Sequence, residues 1–146
     1  MFKSILLATD GSAASDHAAK LAVNMARLSG AALTALYVSD PYPYLGVGEV
    51  NPMGYQAYST AAQHLASEAH AKVEALCSAE SPAVKLEVRL VEDVAAASGI
   101  VESAKELGCD LIIMGSHGRT GIARLMLGSV ANKVVAESSI PVLITR

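Results

Sequence analysis

Four of the chain's 11 glycines fall in one short stretch whose residue types can bind an anion. The stretch reads MGSHGRTGIARLMLGSV over residues 114–130, and its glycines are Gly115, Gly118, Gly121 and Gly128. A backbone N–H approaches a phosphate oxygen closely only where no side chain intrudes, and glycine has none. Gly128 and Ser129 also begin a predicted helix, whose free amides and dipole favour an anion. The stretch indicates a phosphate site, although glycines after a strand are also common as plain turn residues.

Two other features of this stretch concern catalysis. The segment GSHG is not the GxSxG pattern of a nucleophile elbow, so it gives no reason to assign Ser116 as a nucleophile. His117 is a candidate general base, but a loop histidine without an identifiable partner is more often exposed or adjacent to a ligand. Arg119 and Arg124 could reach phosphates or could equally be solvated charges. The sequence therefore predicts binding at this stretch and no catalytic residue.

Asp10 is the second candidate site residue, in the segment TDGS after the apolar run SILLAT. Its carboxylate could contact a ligand, or it could merely cap the helix that follows. Proximity to the glycine stretch decides between these readings, and that proximity depends on the order of the strands.

The elements that must position these residues alternate along the chain. Short apolar runs bounded by turn residues predict strands, and apolar residues at helical spacing predict helices. The predicted strands span residues 4–9, 32–38, 84–91, 110–114 and 140–145, and the helices follow Ser12 up to Gly30 and span 59–79, 94–107 and 128–138. Residues 39–58, which contain Tyr42, Tyr44, Tyr55 and Tyr58, are interpreted as a loop that could form a lid, a partner surface or a packed surface segment.

Such alternation predicts one α/β domain over residues 1–146, a three-layer, doubly wound, Rossmann-like fold with a five-stranded parallel sheet. The expected strand order is 3-2-1-4-5, with the 84–91 strand near an edge. Ligands in such sheets bind beyond the carboxyl ends of the strands where the order reverses. That point lies between the first and fourth strands, which brings Asp10 to the glycine stretch and favours its ligand-binding role.

The composition of the chain limits the classes of molecule that it could bind. The net charge is −3 and the cationic residues are scattered, so we expect no nucleic acid and no membrane as partner. No apolar run reaches the length of a membrane span or a signal-peptide core. Cys77 and Cys109 form no CxxC pair, which predicts buried free thiols and a reducing cytoplasm. His17, His64 and His70 fall on predicted helices without metal-binding spacing, so no metal-ligating cluster is expected.

The glycine spacing also resembles a known family. Gly115-x-x-Gly118, nine further residues, then Gly128-Ser129 is the pattern of the ATP-binding branch of the universal stress protein family. The segments ILLATDGS, DLIIMGSHGRTG and SSIPVLITR resemble that family in order and spacing over the whole chain.

The resemblance implies a set of nucleotide contacts. Asp10 would contact the adenosine moiety, with Ala8 and Thr9 at the same end, and Val38 would meet adenine through its backbone. Gly115 would lie against the ribose, and Met114, His117 and Arg119 are further candidate nucleotide-binding residues of the same stretch. The phosphates would be held by Gly118, Gly128, Ser129 and Val130.

Resemblance to the family further implies a divalent ion, Mg²⁺ or Mn²⁺, that bridges phosphate oxygens without a protein ligand cluster. It also implies a homodimer formed through the last strand at Val142, Leu143 and Ile144. The resulting hypothesis is a cytoplasmic stress-response protein that binds ATP, with ADP and AMP as other possible ligands. The alternatives are a slow ATPase or nucleotide-transfer enzyme, and a dimeric interaction module whose pocket stays empty.

Overall fold

The computed structural model of the protein describes residues 1–43, 52–117 and 126–146. Strands and helices alternate in these ranges, as the sequence predicts. The strands are β1 (Ser4–Ala8), β2 (Ala32–Ser39), β3 (Leu86–Glu92), β4 (Leu111–Gly115) and β5 (Val142–Thr145), and the helices are α1 (Ala13–Ser29), α2 (Pro52–Ser78), α3 (Ala96–Glu106) and α4 (Ser129–Glu137).

The five strands form one parallel sheet in the order β3-β2-β1-β4-β5, which confirms the predicted α/β fold and strand order. β1 lies at the centre, where Ile5 pairs with Leu33 on one side and Leu111 on the other. The central strands are continuous apolar runs because both of their faces are buried, as is usual in parallel sheets. β3 lies at one edge, which explains why its apolar and charged residues alternate.

Successive side chains of each strand point to opposite layers of helices. Ile5 and Leu7 of β1 pack in the cluster that contains α1 and the C-terminal half of α2. Leu6 between them packs with Ile112 and Met114 in the cluster formed with α3 and α4. The fold therefore has three layers with a core on each side of the sheet. None of the helices in the described ranges combines the length and apolar character needed to cross a membrane.

The buried face of α1 differs from the predicted one. The periodicity predicts Ala14, Ala18, Leu21, Met25 and Leu28 on the inner face, but Leu28 is 89% exposed and Leu21 is 36% exposed. The residues that α1 buries are Ser15, Ala18, Ala19, Ala22, Val23 and Ala26. This face consists almost entirely of small residues, which allow the helix to pack close to the sheet. In α4 the periodicity predicts Val130, Val134 and Val135 on the inner face, but Val135 is 48% exposed beside the buried Val134.

The N-terminal part of α2 was wrongly predicted to be loop. The helix begins at Pro52, seven residues before the predicted start at residue 59, so Tyr55 and Tyr58 lie on a helix. Proline is favoured at the first position of a helix because its missing N–H has no intrahelical acceptor there. Tyr44 lies outside the described residues.

Candidate functional site

A cavity of about 610 Å³ opens at the carboxyl ends of β1, β2 and β4. Residues of α3 and of the first turn of α4 also line it. The cavity therefore lies at the predicted switch point of the sheet, on the side covered by α3 and α4. The predicted site residues that line it are Ala8, Thr9, Asp10, Val38, Met114, Gly115, His117, Gly128, Ser129 and Val130. Gly118, Arg119 and Arg124 lie outside the described residues.

Sequence reasoning missed other lining residues, namely Ser15, Leu36, Tyr37, Asp40, Ala96, Ile100, Ser116, Met126, Leu127 and Ala131. The alternation of side chains along a strand could have indicated two of them, because Leu36 and Asp40 each lie two residues from Val38 and so share its face. Ala96 and Ile100 come from α3, whose position above this face follows only from the path of the chain between β3 and β4. No periodicity within α3 could have indicated it.

The loop between β1 and α1 is fixed by its own polar side chains. Asp10 Oδ1 accepts a hydrogen bond from the N–H of Ser12 at 2.9 Å. Ser12 is the N-cap of α1, since its Oγ accepts from the N–H of Ser15 at 3.3 Å. Thr9 Oγ1 accepts from the N–H of Gly11 at 3.2 Å and donates to Ser15 Oγ at the same distance. Ser12 therefore caps the helix, whereas Asp10 holds the turn before it.

The end of β4 is joined directly to the start of α4. The N–H of Ser116 donates to the carbonyl of Thr145 in β5, and its carbonyl accepts from the N–H of Gly128, both at 2.8 Å. A Cβ atom built at Gly128 would lie 2.8 Å from that Ser116 carbonyl oxygen. Glycine is therefore required at position 128 by the contact between two backbone segments, in addition to any ligand.

Glycine at position 115 is likewise favoured by a contact within the protein itself. A Cβ atom there would lie 3.3 Å from the carbonyl oxygen of Ala14, in the first turn of α1. Gly115 therefore points to the α1 side of the sheet, while Met114 and Ser116, its neighbours, have the opposite parity and point to the α4 side.

The first turn of α4 offers donors to the cavity. Gly128 is its N-cap residue and supplies no side-chain hydrogen bond. The N–H of Asn132 is the first to bond back within the helix, to the carbonyl of Gly128 at 3.0 Å. The N–H groups of Ser129, Val130 and Ala131 precede it and have no acceptor within the helix. Together with the hydroxyl of Ser129, they form a set of donors that suits an anion.

His117 has a partner that the sequence did not reveal. Its Nδ1 lies 3.1 Å from Ser116 Oγ, and the tautomer decides which of the two atoms donates. Ser116 is only 8% exposed, yet both residues line the cavity. The carbonyl of Ser116 is also the acceptor that holds the start of α4, so this pair lies directly beside the helix N-terminus.

The opposite end of the cavity is closely packed and is lined by the apolar side chains of Leu36, Val38 and Ile100 together with Asp40. A Cβ atom at Gly99 of α3 would lie only 2.8 Å from Cγ1 of Val38, so the lack of a side chain lets α3 approach β2. Asp40 Oδ1 accepts from the N–H of Ala96 at 3.3 Å, and its carbonyl accepts from the hydroxyl of Tyr58 at 2.8 Å. The end of β2 is therefore fixed to α3 and to α2.

Three tyrosines meet beside this end. The ring of Tyr42 packs edge-on against Tyr55 and Tyr58, with centroid distances of 5.9 and 5.4 Å. This cluster, together with the hydroxyl contact to Asp40, fixes the start of α2 against the segment after β2.

The charges around the cavity do not by themselves favour an anion. Asp10 and Asp40 are its carboxylates, and none of the described lining residues is a lysine or an arginine. Lys72 of α2 donates to the carbonyl of Gly11 at 2.9 Å, outside the cavity lining. Backbone amides at α4 are therefore the main donors that the described residues offer to an anion.

Two cysteines and one histidine that do not line the cavity have shifted pKa values. Burial raises the pKa of Cys109, which accepts a weak hydrogen bond from the hydroxyl of Ser4, and raises the pKa of Cys77. Both cysteines are free and buried, as predicted. Burial also lowers the pKa of His70, which is half-buried on α2. Across the described ranges, no three or more His, Cys, Asp or Glu side chains are grouped so as to hold a metal ion.

The chain is similar over its full length to known proteins. The family model described as universal stress protein family matches residues 1–146. Universal stress protein MJ0531 of Methanocaldococcus jannaschii is 37% identical over 146 residues, which is all of this chain and 83% of that protein. Universal stress protein UspA from Lactobacillus plantarum has the same fold, with a TM-score of 0.86, 29% identity and coverage of 99% and 97% of the two chains. A universal stress protein solved in complex with cAMP is also 29% identical, with a TM-score of 0.70 and the same coverage.

Proposed function

The chain belongs to the universal stress protein family, and on that premise we propose that it binds an adenine nucleotide, with ATP as the preferred ligand. The nucleotide occupies the cavity at the carboxyl ends of β1, β2 and β4. Its bound state, or the dimer that carries it, is the signal in a stress response. Two buried free thiols are compatible with a reducing compartment such as the cytoplasm.

The observation that carries this proposal is the uncapped first turn of α4 at one end of a cavity whose other end is lined mainly by apolar side chains, together with Asp40. A nucleotide has the same polarity, with phosphates at one end and a flat base at the other. The volume of about 610 Å³ lies within the range of about 300–1,000 Å³ typical of small-molecule sites. The complex of a related universal stress protein with cAMP supports an adenine nucleotide as the ligand class.

The amides of Ser129, Val130 and Ala131 and the hydroxyl of Ser129 hold the phosphates in this proposal. Each hydrogen bond to a charged oxygen contributes about 1.5–3 kcal/mol, so a few of them can hold a polyphosphate without a basic patch. Asp10 and the backbone of Val38 contact the adenosine moiety, with Ala8, Thr9, Met114 and Gly115 around it. Gly118 and Arg119 complete the phosphate contacts in the proposal, on the strength of the glycine spacing alone.

A divalent cation, Mg²⁺ or Mn²⁺, accompanies the triphosphate. The free N–H groups at α4 suit phosphate oxygens and cannot ligate a cation, so in this proposal phosphate oxygens would hold the ion. When bound, it neutralises part of the phosphate charge, which matters in a cavity that contains Asp10 and Asp40.

A homodimer through β5 is part of the same proposal. β5 lies at the outer edge of the sheet, and Val142, Leu143 and Ile144 are only half-buried in the single chain. An unpaired strand edge with apolar side chains favours pairing with a second copy. Light scattering should give twice the monomer mass, and Leu143→Lys should shift it towards the monomer.

Mass spectrometry of ligand released from the purified protein, followed by calorimetric titration with ATP, ADP and AMP, tests the binding proposal. We expect an adenine nucleotide in the released fraction and the tightest binding for ATP. Ser129→Ala should weaken ATP binding, whereas Ser139→Ala, an exposed serine outside the cavity, should not. Absence of binding of all three nucleotides at millimolar concentration would refute the proposal and favour an interaction module with an empty pocket.

A further inference from the structure

β3 forms one edge of the sheet, at the opposite side from β5. Within the residues that the structure describes, it pairs with β2 alone, so no strand lies along its outer side. We propose that this edge binds a second copy of the chain, with the two β3 strands antiparallel about a two-fold axis through Val88. The inference does not depend on nucleotide binding, and it concerns a surface distinct from the homodimer contact proposed for β5.

The backbone of β3 presents hydrogen-bonding groups to its outer side at every second residue. The N–H of Leu33 in β2 donates to the carbonyl of Lys85 at 2.9 Å, which fixes the residues of the following strand that turn towards β2. Because the N–H and C=O groups of successive residues point to opposite sides of a strand, those of Glu87 and Arg89 also face β2. The residues whose N–H and C=O groups point outwards are Leu86, Val88 and Leu90.

A two-fold axis through Val88 lets all of these outward groups form hydrogen bonds. Val88 lies opposite its own counterpart, and the two residues exchange both bonds as in an antiparallel pair. Leu86 lies opposite Leu90 of the second copy, and symmetry repeats this pair. The three side chains share the face covered by α2, where both leucines are half-buried and Val88 is 48% exposed. The facing residues on this side are therefore all apolar.

The charged residues of β3 fit the same register. Glu87 and Arg89 lie on the other face of the sheet, where their exposed side chains form an ion pair of 2.9 Å within the strand. About the axis through Val88, Glu87 lies opposite Arg89 of the second copy. These positions alternate with the hydrogen-bonded pairs and bring facing side chains closest together. Each carboxylate can therefore exchange its partner within the strand for one across the joint.

The adjacent registers bring like charges together. An axis through Glu87 would place the two copies of Glu87 opposite each other and Lys85 opposite Arg89. An axis through Arg89 would place the two copies of that residue opposite each other. Charged residues on an edge strand often prevent association, but facing opposite charges stabilise a strand pair. The signs and spacing in β3 therefore favour one register and disfavour its neighbours.

α2 adds contact area to the joint. It covers both β2 and β3, since Ala66 lies in one apolar cluster with Tyr37 of β2 and Leu90 of β3. Two helices that each lie above the middle of β2 and β3 would be two strand spacings apart across the joint, or roughly 10 Å. Packed helices lie about 8–10 Å apart, so the two copies of α2 would contact each other above the paired strands.

The test uses the full chain with Leu143→Lys, which weakens the contact proposed for β5, so that association through β3 is measured alone. Sedimentation equilibrium from micromolar to millimolar concentration should show a concentration-dependent dimer. Hydrogen exchange followed by NMR identifies the edge that pairs. The amide of Val88 should become protected only as the dimer forms, whereas those of Glu87 and Arg89, which face β2, should be protected at every concentration.

Charge exchange in the same background tests the register. Arg89→Glu and Glu87→Arg should each weaken the dimer by about tenfold or more, because each places like charges opposite each other at two symmetric positions. The double exchange should restore the dimer, and an equimolar mixture of the two single variants should form a heterodimer. Lys20→Glu, at an exposed position of α1, makes the same change of net charge as Arg89→Glu and should leave association unchanged. Thermal unfolding checks that each variant is folded.

Three results would overturn the inference. The first is a Leu143→Lys chain that stays monomeric through the millimolar range. The second is a dimer in which the amide of Val88 exchanges as fast as in the monomer, because the contact would then lie elsewhere. The third is association of both single charge variants as strong as that of the parent chain. Calorimetric titration with ATP tests the proposed function separately, and its result does not bear on this edge.

Discussion

Gly128→Ala isolates one contact at the proposed phosphate end of the cavity. The φ and ψ angles of Gly128, −63° and 162°, are those of extended backbone that any residue adopts, so the substitution introduces no torsional strain. Its Cβ, however, would lie 2.8 Å from the carbonyl oxygen of Ser116 and 3.5 Å from Cα of His117. Both are main-chain atoms, so relief of the clash requires that α4 or the end of β4 move.

The magnitude follows from that contact. Overpacking by one methyl group in a rigid site costs about 1–3 kcal/mol of stability. Alanine is also a poorer N-cap than glycine, but it restricts the unfolded chain, and these two effects of about 1 kcal/mol or less nearly cancel. In a chain of this length, the expected loss lowers Tm by about 2–12 °C. Displacement of α4 that breaks one hydrogen bond to a phosphate oxygen weakens ATP binding by about tenfold to 150-fold.

Calorimetric titration with ATP and thermal unfolding without ligand measure the two effects on the same sample. Gly108→Ala is the matched control, because Gly108 has a positive φ of 64°, no atom within 4 Å of a built Cβ, and a position away from the cavity. It should lose stability through backbone strain and keep its affinity for ATP. If Gly128→Ala bound ATP as tightly as the wild-type protein, the phosphates would not lie at the start of α4.

Three further predictions concern other parts of the fold. Burial tends to raise the pKa of Asp110, but hydrogen bonds from the N–H groups of Lys3 and Ser4 hold it below the usual value, so its stabilising effect is present at neutral pH and is lost as the pH falls through this lowered pKa. Urea unfolding should show the difference between wild type and Asp110→Asn shrinking with acidification; a constant difference would contradict the assignment. Lys72→Met should weaken ATP binding by about fivefold or less, since the exposed amine holds the loop carbonyl of Gly11 and pairs with the carboxylate of Asp16 but does not line the cavity; a larger loss in titration would mean direct contact with ligand. Both cysteines should react with iodoacetamide only after unfolding, and rapid labelling of the native protein would contradict their burial.

The sequence predicted the sheet well because its signals are local and strong. The apolar runs of β1 and β4, the turn residues after them and the N-cap Ser12 each reflect an interaction within a few residues. The buried face of α1 was wrongly predicted because Leu21 and Leu28 were given more weight than alanines. In this fold, Val23 and the alanines of α1 allow the helix to pack close to the sheet. The hydrophobicity of a residue does not show how closely its helix can approach the sheet.

The candidate site was predictable where a residue follows a strand and not where it acts through another element. Asp10 and Gly128 follow from motif and topology. Ser116 was not predicted as a site residue because GSHG does not match the GxSxG pattern, and no spacing motif describes its contact with the adjacent His117. The hydroxyl of Tyr58 reaches the carbonyl of Asp40 from the N-terminal part of α2, which was expected to be loop, so no local signal could indicate that contact.

Gly99 has a consequence for how the cavity could change. It does not line the cavity, yet its missing side chain is what allows α3 to lie against Val38 and to bring Ala96 and Ile100 over the end of the cavity at β2. A single methyl group at this position would push the helix outwards and widen this end of the cavity, while every atom that lines the cavity keeps its chemical identity. The width of the pocket and the chemistry of its walls are therefore encoded at separate positions, and one can be altered without the other.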